Sequence, residues 1–355
     1  MLPRSRNFAH DFFRRVKGFE LPIRPNMLSK LRMSEQKKQP LKASLLLLLA
    51  TVFWGVSFPV MKSIGLLQQR LLPDASNWFA PSLSMTLRFS FAAFILLLLS
   101  RQSTRTLTRL EIEQGVGIGF FNTFGIILQM DGLSHTSAST SAFLTQCYCV
   151  LIPIYVTIRE RRWPSRTVSV SCALALAGVA ILSQFNWRSV NLGRGELETV
   201  LASVFFTGQI LWLNRPKFAW TNSVNTTLIM FLVTVLCALP ITLFSAPGGG
   251  AIALLFHSRA FWGLMVVLTF VCTLLTFTTM NYWQPHLPET HAGLIYCAEP
   301  VFATLFALFL PSIFAAWAGI NYANETMAGR LIAGGSLIIA ANILLLVREA
   351  SRRPD

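Results

Sequence analysis

Residues 281–304 read NYWQPHLPETHAGLIYCAEPVFAT, and at position 299 an acid falls inside an apolar run. A carboxylate within an apolar helix is costly in lipid, so it faces a cavity or a partner. Glu299 therefore has two readings. It can take up a proton or hold a cationic group, its proton affinity raised by desolvation. Alternatively, with Pro300, it fixes a helix break and accepts hydrogen bonds from a neighbouring helix. Pro300 has no N–H to give the carbonyl of Tyr296, so the chain should kink there.

Arg88 is a second charge inside an apolar run. It can hold an anionic group, or it can pair with a carbonyl or snorkel to the interface. Lys62 stands near the end of the first apolar run, where snorkelling is cheap and ligand contact is the rarer role. Trp54, Phe58, Tyr148 and Tyr296 can wall a substrate path or simply pack. Gln129, Gln146, Gln209 and Gln284 can line that path or bond helix to helix. Glu289 and His291 open one apolar run. The helix dipole accounts for an acid in a first turn without any function, and His291 is a relay or a polar helix-end residue.

Other chemistries lack their residues. The six cysteines, Cys147, Cys149, Cys172, Cys237, Cys272 and Cys297, all lie in apolar runs, and Cys147 and Cys149 point to different faces of a helix. They read as small apolar filler. No Gly-Lys-Ser phosphate loop, dinucleotide fingerprint or zinc-spaced histidine pair is present. The expectation is no enzyme, no cofactor and no metal.

The elements that must position these residues follow from composition. The chain has 355 residues, 53% hydrophobic and 13% charged, against about a quarter charged in soluble domains. Its apolar residues come in blocks, and a bilayer core of about 30 Å needs about 20 of them per helix. Ten such segments are read at 43–66, 79–100, 112–130, 137–158, 167–185, 195–213, 224–245, 260–282, 289–311 and 327–347. The expected fold is an all-α integral membrane protein of ten transmembrane helices. A start at Glu289 puts Glu299 about 15 Å along its helix, near mid-membrane. Arg88 comes about 10 Å in from the opposite face by the same rise.

The net charge of +15 lies in connectors and at the N-terminus, so it signals topology and not nucleic acid. With the N-terminus cytoplasmic, 23 basic residues fall inside and 5 outside; an N-in, C-in orientation is expected. Residues 1–42 carry eleven Lys or Arg and no span. They read as a basic cytoplasmic segment, with Met33 a candidate native start, and residues 348–355 as a cytoplasmic tail.

The ten segments divide into fives, 43–185 and 193–347. Residues 136–151 align with 287–302 at an offset of 151, so Ala142 matches Gly293, Tyr148 matches Glu299 and Cys149 matches Pro300. Because five is odd, the second half must be inverted relative to the first. Inverted repeats are a hallmark of secondary transporters, with the site between the halves.

Taken in order, these stretches resemble the drug/metabolite transporter superfamily, EamA type. The resemblance rests on Trp54-Gly55 with Phe58 and the downstream Lys62, and on Arg88-Phe89 in its Met-Thr-Leu-Arg-Phe setting. It continues through Arg159-Glu160-Arg161, Gly178-Val179, Gly195-Glu196-Leu197, Glu299-Pro300-Val301-Phe302-Ala303, Glu325 and Gly334-Gly335. Arg159 stands where the family has Gly, and the stretch 312–326 is longer than the usual connector. The resemblance covers about 43–347. It implies a ten-helix carrier of small metabolites or drugs, most often an exporter, in a bacterial inner membrane. The expected partners are a small-molecule substrate and the bilayer, and the expected state is a monomer or homodimer. Two other classes stay open: a membrane-embedded enzyme on lipid-linked substrates, and a non-transporting scaffold.

Overall fold

A computed structural model describes residues 25–76, 78–100, 107–136, 138–182, 193–326 and 329–351. The chain divides into two units, 1–39 and 40–355. In the first, backbone is described from residue 25 and is helical; the rest of the basic N-terminal segment, like residues 352–355 of the tail, lies outside the described residues.

Among the described residues the regular structure is helical, with no strand. In chain order the helices are α1 Pro40–Leu71, α2 Phe79–Leu99, α3 Arg109–His135, α4 Ala138–Thr145, α5 Tyr148–Glu160, α6 Arg166–Leu182 and α7 Arg194–Leu213. They continue as α8 Ser223–Ser245, α9 Gly249–His257, α10 Arg259–His286, α11 Glu289–Tyr296, α12 Glu299–Ala307, α13 Leu310–Ala318 and α14 Gly329–Ser351.

Four described helices, α1, α2, α8 and α10, are each long and apolar enough to cross a bilayer. A fifth crossing is available if α11–α12 and α13, bent by 57° to one another, count as one. Two others are apolar but short, Arg166–Leu182 and Leu331–Val347. The segment expected at 137–158 is two helices, so neither half has spanning length. The segment expected at 289–311 is likewise divided, and the stretch expected as a connector from 312 is helical as far as Ala318.

Apolar side chains left on the perimeter, such as Phe94, Leu236, Leu243 and Ile332, are what a helix shows to lipid. Inside, Phe89, Phe231, Met230 and Ile152 are buried in the largest core cluster. A second cluster gathers Val60, Ile64, Phe79, Phe261 and Leu264.

Packing in lipid relies on close backbone approach. α6 and α14 meet at Gly178 and Gly334. A Cβ on Gly178 would lie 2.6 Å from the Gly334 carbonyl oxygen, and one on Gly334 would lie 2.5 Å from that of Gly178. Gly178→Val should therefore force the helices apart and cost about 1–3 kcal/mol. The check is a melting curve in detergent; an unchanged midpoint would mean the two helices do not touch here.

α10 carries a π-helical stretch over Phe270–Leu275. Two threonines serve the carbonyls that such a bulge loosens. The hydroxyl of Thr273 donates to Leu268 O at 2.9 Å and that of Thr276 to Val271 O at 2.7 Å. π-Bulges are frequent at functional sites, and this one includes Cys272, whose thiol lies within electrostatic reach of Arg88.

Candidate functional site

The site begins with two helix breaks. α4 ends at Thr145 and α5 starts at Tyr148; α11 ends at Tyr296 and α12 starts at Glu299. The breaks recur at the offset of 151 read from the sequence. Each is made by tight i→i+3 bonding. Gln146 N–H donates to Phe143 O and Cys147 N–H to Leu144 O; Cys297 N–H donates to Leu294 O and Ala298 N–H to Ile295 O. In the second break Pro300 occupies the second position of α12, where its missing N–H costs nothing. In the first the proline is Pro153, inside α5. It cannot bond the carbonyl of Cys149, which instead accepts the Cys172 thiol at 3.3 Å.

α11 lies against α5, and a Cβ on Gly293 would stand 2.7 Å from Ile152 Cδ1. That contact brings the two breaks together. Tyr148, the first residue of α5, is buried and within electrostatic reach of Cys297 and Glu299. Glu299, the first residue of α12, is half-buried, and no described residue gives its carboxylate a hydrogen bond or ion pair. Gln146, buried beside them in sequence, has an amide oxygen without a partner. His291 is buried in the first turn of α11.

Trp54 packs edge-on to Tyr296 at 5.4 Å and to Phe277 at 5.7 Å. Phe277 continues to Phe89 at 5.8 Å, and Phe89 to Phe231 at 5.5 Å. An unbroken aromatic run thus joins Tyr296 to the neighbour of Arg88. Phe58, in contrast, is 45% exposed and stands outside this wall.

Arg88 is buried at 6% exposure. Its guanidinium lies 4.9 Å from the centre of the Phe89 ring, and Nη1 is 3.6 Å from Met61 Sδ. Nε is buried without a partner. No acidic side chain among the described residues reaches it. Lys62, one residue beyond Met61, is exposed and sits 5.0 Å over the ring of Tyr322. Burial pushes the Tyr322 phenol up to about 12, with the Glu325 carboxylate adding to the rise, so the ring under the ammonium is neutral. Arg70 donates to the Gly319 carbonyl at the start of the same stretch.

Two glutamines act as ties between helices. Gln284 donates to Ile210 O at 3.0 Å and to Asn214 Oδ1 at 2.7 Å, and it accepts from the Tyr296 hydroxyl at 2.9 Å. Gln129 donates to Thr145 at 3.1 Å. Gln209 is buried on α7. Tyr296→Phe should leave the buried Gln284 oxygen unsatisfied and lower stability by about 1–3 kcal/mol. A melting curve should show that loss while the Trp54 contact, and with it function, persists. Glu289 pairs with Arg159 at 3.1 Å across to the end of α5.

A buried acid that sequence reading passed over makes a useful contrast. Glu111 is 5% exposed and fully served: it accepts from Thr108 N–H, Asn222 N–H and Asn225 Nδ2 at 2.9–3.0 Å. Thr108-Arg109-Leu110-Glu111 is a capping box, and that pattern was the available signal. Gln114, one turn on, accepts from Thr221 and Thr226. Glu111 shows what a structural acid looks like in this protein, and Glu299 lacks all of it.

One group of side chains has metal-ligand reach among the described residues. Asp131, His135 and Glu198 bring their ligand atoms within 4.8 Å of one another. Arg194 already pairs with both carboxylates, so the charge a cation would supply is in place.

The chain is a multi-helix membrane protein, and a crystal structure superimposes on 88% of it with a TM-score of 0.65, covering 99% of that chain at 16% identity, a likeness of fold alone. Residues 41–184 match the EamA-like transporter family. It is also 26% identical over 270 residues to an uncharacterized transporter of Archaeoglobus fulgidus, across 76% of this chain and 78% of that one.

Proposed function

We propose that this membrane transporter is a secondary carrier that moves a small organic metabolite or drug outward by alternating access, in exchange for a proton. The observation that carries this reading is the pair of broken helices, each starting its second part on a polar residue, with Glu299 left unpartnered beside Tyr148. Broken helices facing each other at mid-depth are how carriers expose polar groups without exposing backbone to lipid. The recurrence of the break after 151 residues supports two inverted five-helix repeats, 43–185 and 193–347, and the charge asymmetry supports an N-in, C-in placement in an inner membrane.

In this reading Glu299 carries the proton. Tyr148, Gln146, Trp54 and Tyr296 shape the central path, and Arg88 receives an anionic group of the cargo. His291 stands at the entrance and Lys62 at the opposite end. The test is a thermal-shift screen of purified protein against metabolites at two pH values. The expected ligand raises the midpoint of the wild type in a pH-dependent way, still raises it in Glu299→Gln but without the pH dependence, and fails to raise it in Arg88→Ala. A well-folded protein that no metabolite shifts, and that exchanges none of them in proteoliposomes, would sink the carrier reading.

A further inference from the structure

A groove of about 400 Å³ opens between α5, the turn after it and α6, away from the central site. It is walled by Val150, Pro153, Ile154, Val168 and Cys172, with Trp163 at its rim. Pro153 and Pro164 both line it. Trp163 is 90% exposed, and a tryptophan so placed belongs at the boundary of hydrocarbon and headgroups. Around that rim the sequence puts Arg159, Arg161, Arg162 and Arg166 within eight residues. Arg159 is taken up by Glu160 and Glu289. Arg161, Arg162 and Arg166 are exposed, and no described acid pairs with them. Arg161 adopts a left-handed conformation at φ 52° that ends α5, and the three arginines flank Trp163 and Pro164, which line the groove.

We propose that this groove is a binding site for one anionic phospholipid. An acyl chain lies along the apolar wall, and the phosphate of its headgroup rests among Arg161, Arg162 and Arg166. Charge and shape agree on that occupant. A zwitterionic lipid would fill the groove but leave three like charges crowded at the rim, and a soluble anion would use the arginines but leave the groove empty. The bound chain would also touch the element that begins with Tyr148, since Cys172 links the groove wall to the Cys149 carbonyl.

The experiment is native mass spectrometry of delipidated full-length protein, titrated with phosphatidylglycerol or phosphatidylcholine. One phosphatidylglycerol should be retained in preference, and the preference should weaken as salt rises. Each arginine changed to glutamine should weaken it roughly fivefold, the value of one basic residue near an anionic headgroup. The triple change Arg161→Gln, Arg162→Gln, Arg166→Gln should bring the two lipids level. Ser169 also lines the groove, and Ser169→Trp, which fills it and keeps the charges, should lower retention of both. Equal retention of the two lipids by the wild type would overturn the proposal, as would a preference that ignores salt. Retention of a protein fragment in place of lipid would make the groove a docking face for another chain and would overturn it too. The wild-type salt series decides the matter even if a variant fails to fold.

Discussion

Glu299→Gln should abolish accumulation driven by a pH gradient while leaving the protein folded. Gln keeps the size and hydrogen-bonding ability of the side chain and removes only its ionisation. In the present structure nothing would be lost from packing, because no described residue bonds the carboxylate. An imposed gradient of about one pH unit supplies about 1.4 kcal/mol, or tenfold accumulation for one proton per cargo. In proteoliposomes the wild type should reach that ratio on the acidic side, and the variant should stop at equal concentrations. Exchange of labelled for unlabelled cargo at one pH should survive in the variant. Accumulation that continues in Glu299→Gln would remove proton coupling through this residue. Loss of fold would instead make Glu299 a structural acid like Glu111.

The second large effect has opposite signs for stability and function. Arg88→Met should stabilise the empty protein and cut transport by roughly tenfold or more, the scale of one lost charge-assisted contact. Burying an ion costs several kcal/mol unless partners repay it. Arg88 has a sulfur, an aromatic face and a thiol for company, and its Nε has nothing. Met fills much of the same space without the charge. An anion on the cargo is the missing counter-charge, so the variant should melt higher when empty and lose the ligand-induced shift. Arg88→Lys keeps the charge but not the planar fork, and should lie between. A variant that melts lower and transports normally would show that Arg88 works as a strut.

Several details were legible because they are local. The capping box of Thr108 and Glu111 is a four-residue pattern of the same local kind, yet it was passed over. The break near Pro300 was expected from one missing N–H; it falls at Cys297–Ala298, which leaves the proline at the second position of α12, where no N–H is needed. The bounds of α2 and α8 follow from the length of their apolar runs. The break at Gln146–Cys147 was not legible: no proline stands there, and Pro153 acts seven residues later through a carbonyl that another helix serves. The π-helical stretch of α10 has no sequence mark beyond threonines that are common in any helix. Gln284 read as a path residue, yet it is occupied by Ile210, Asn214 and Tyr296, which come from elements far apart in the chain.

The sequence by itself determined that this chain lives in a membrane, that Arg88 and Glu299 are charges inside apolar runs, and the repeat offset that pairs Tyr148 with Glu299. Hydropathy and spacing are properties of neighbours along the chain, so they need no fold to be read. Only the tertiary structure decided which of those charges have partners. Glu111 and Glu299 are the same residue type, each in the first turn of a helix. One is enclosed by donors from another helix and a turn, and the other is left open beside a phenol. Long-range packing makes that difference, through contacts such as Gly293 on Ile152 that set which helices meet.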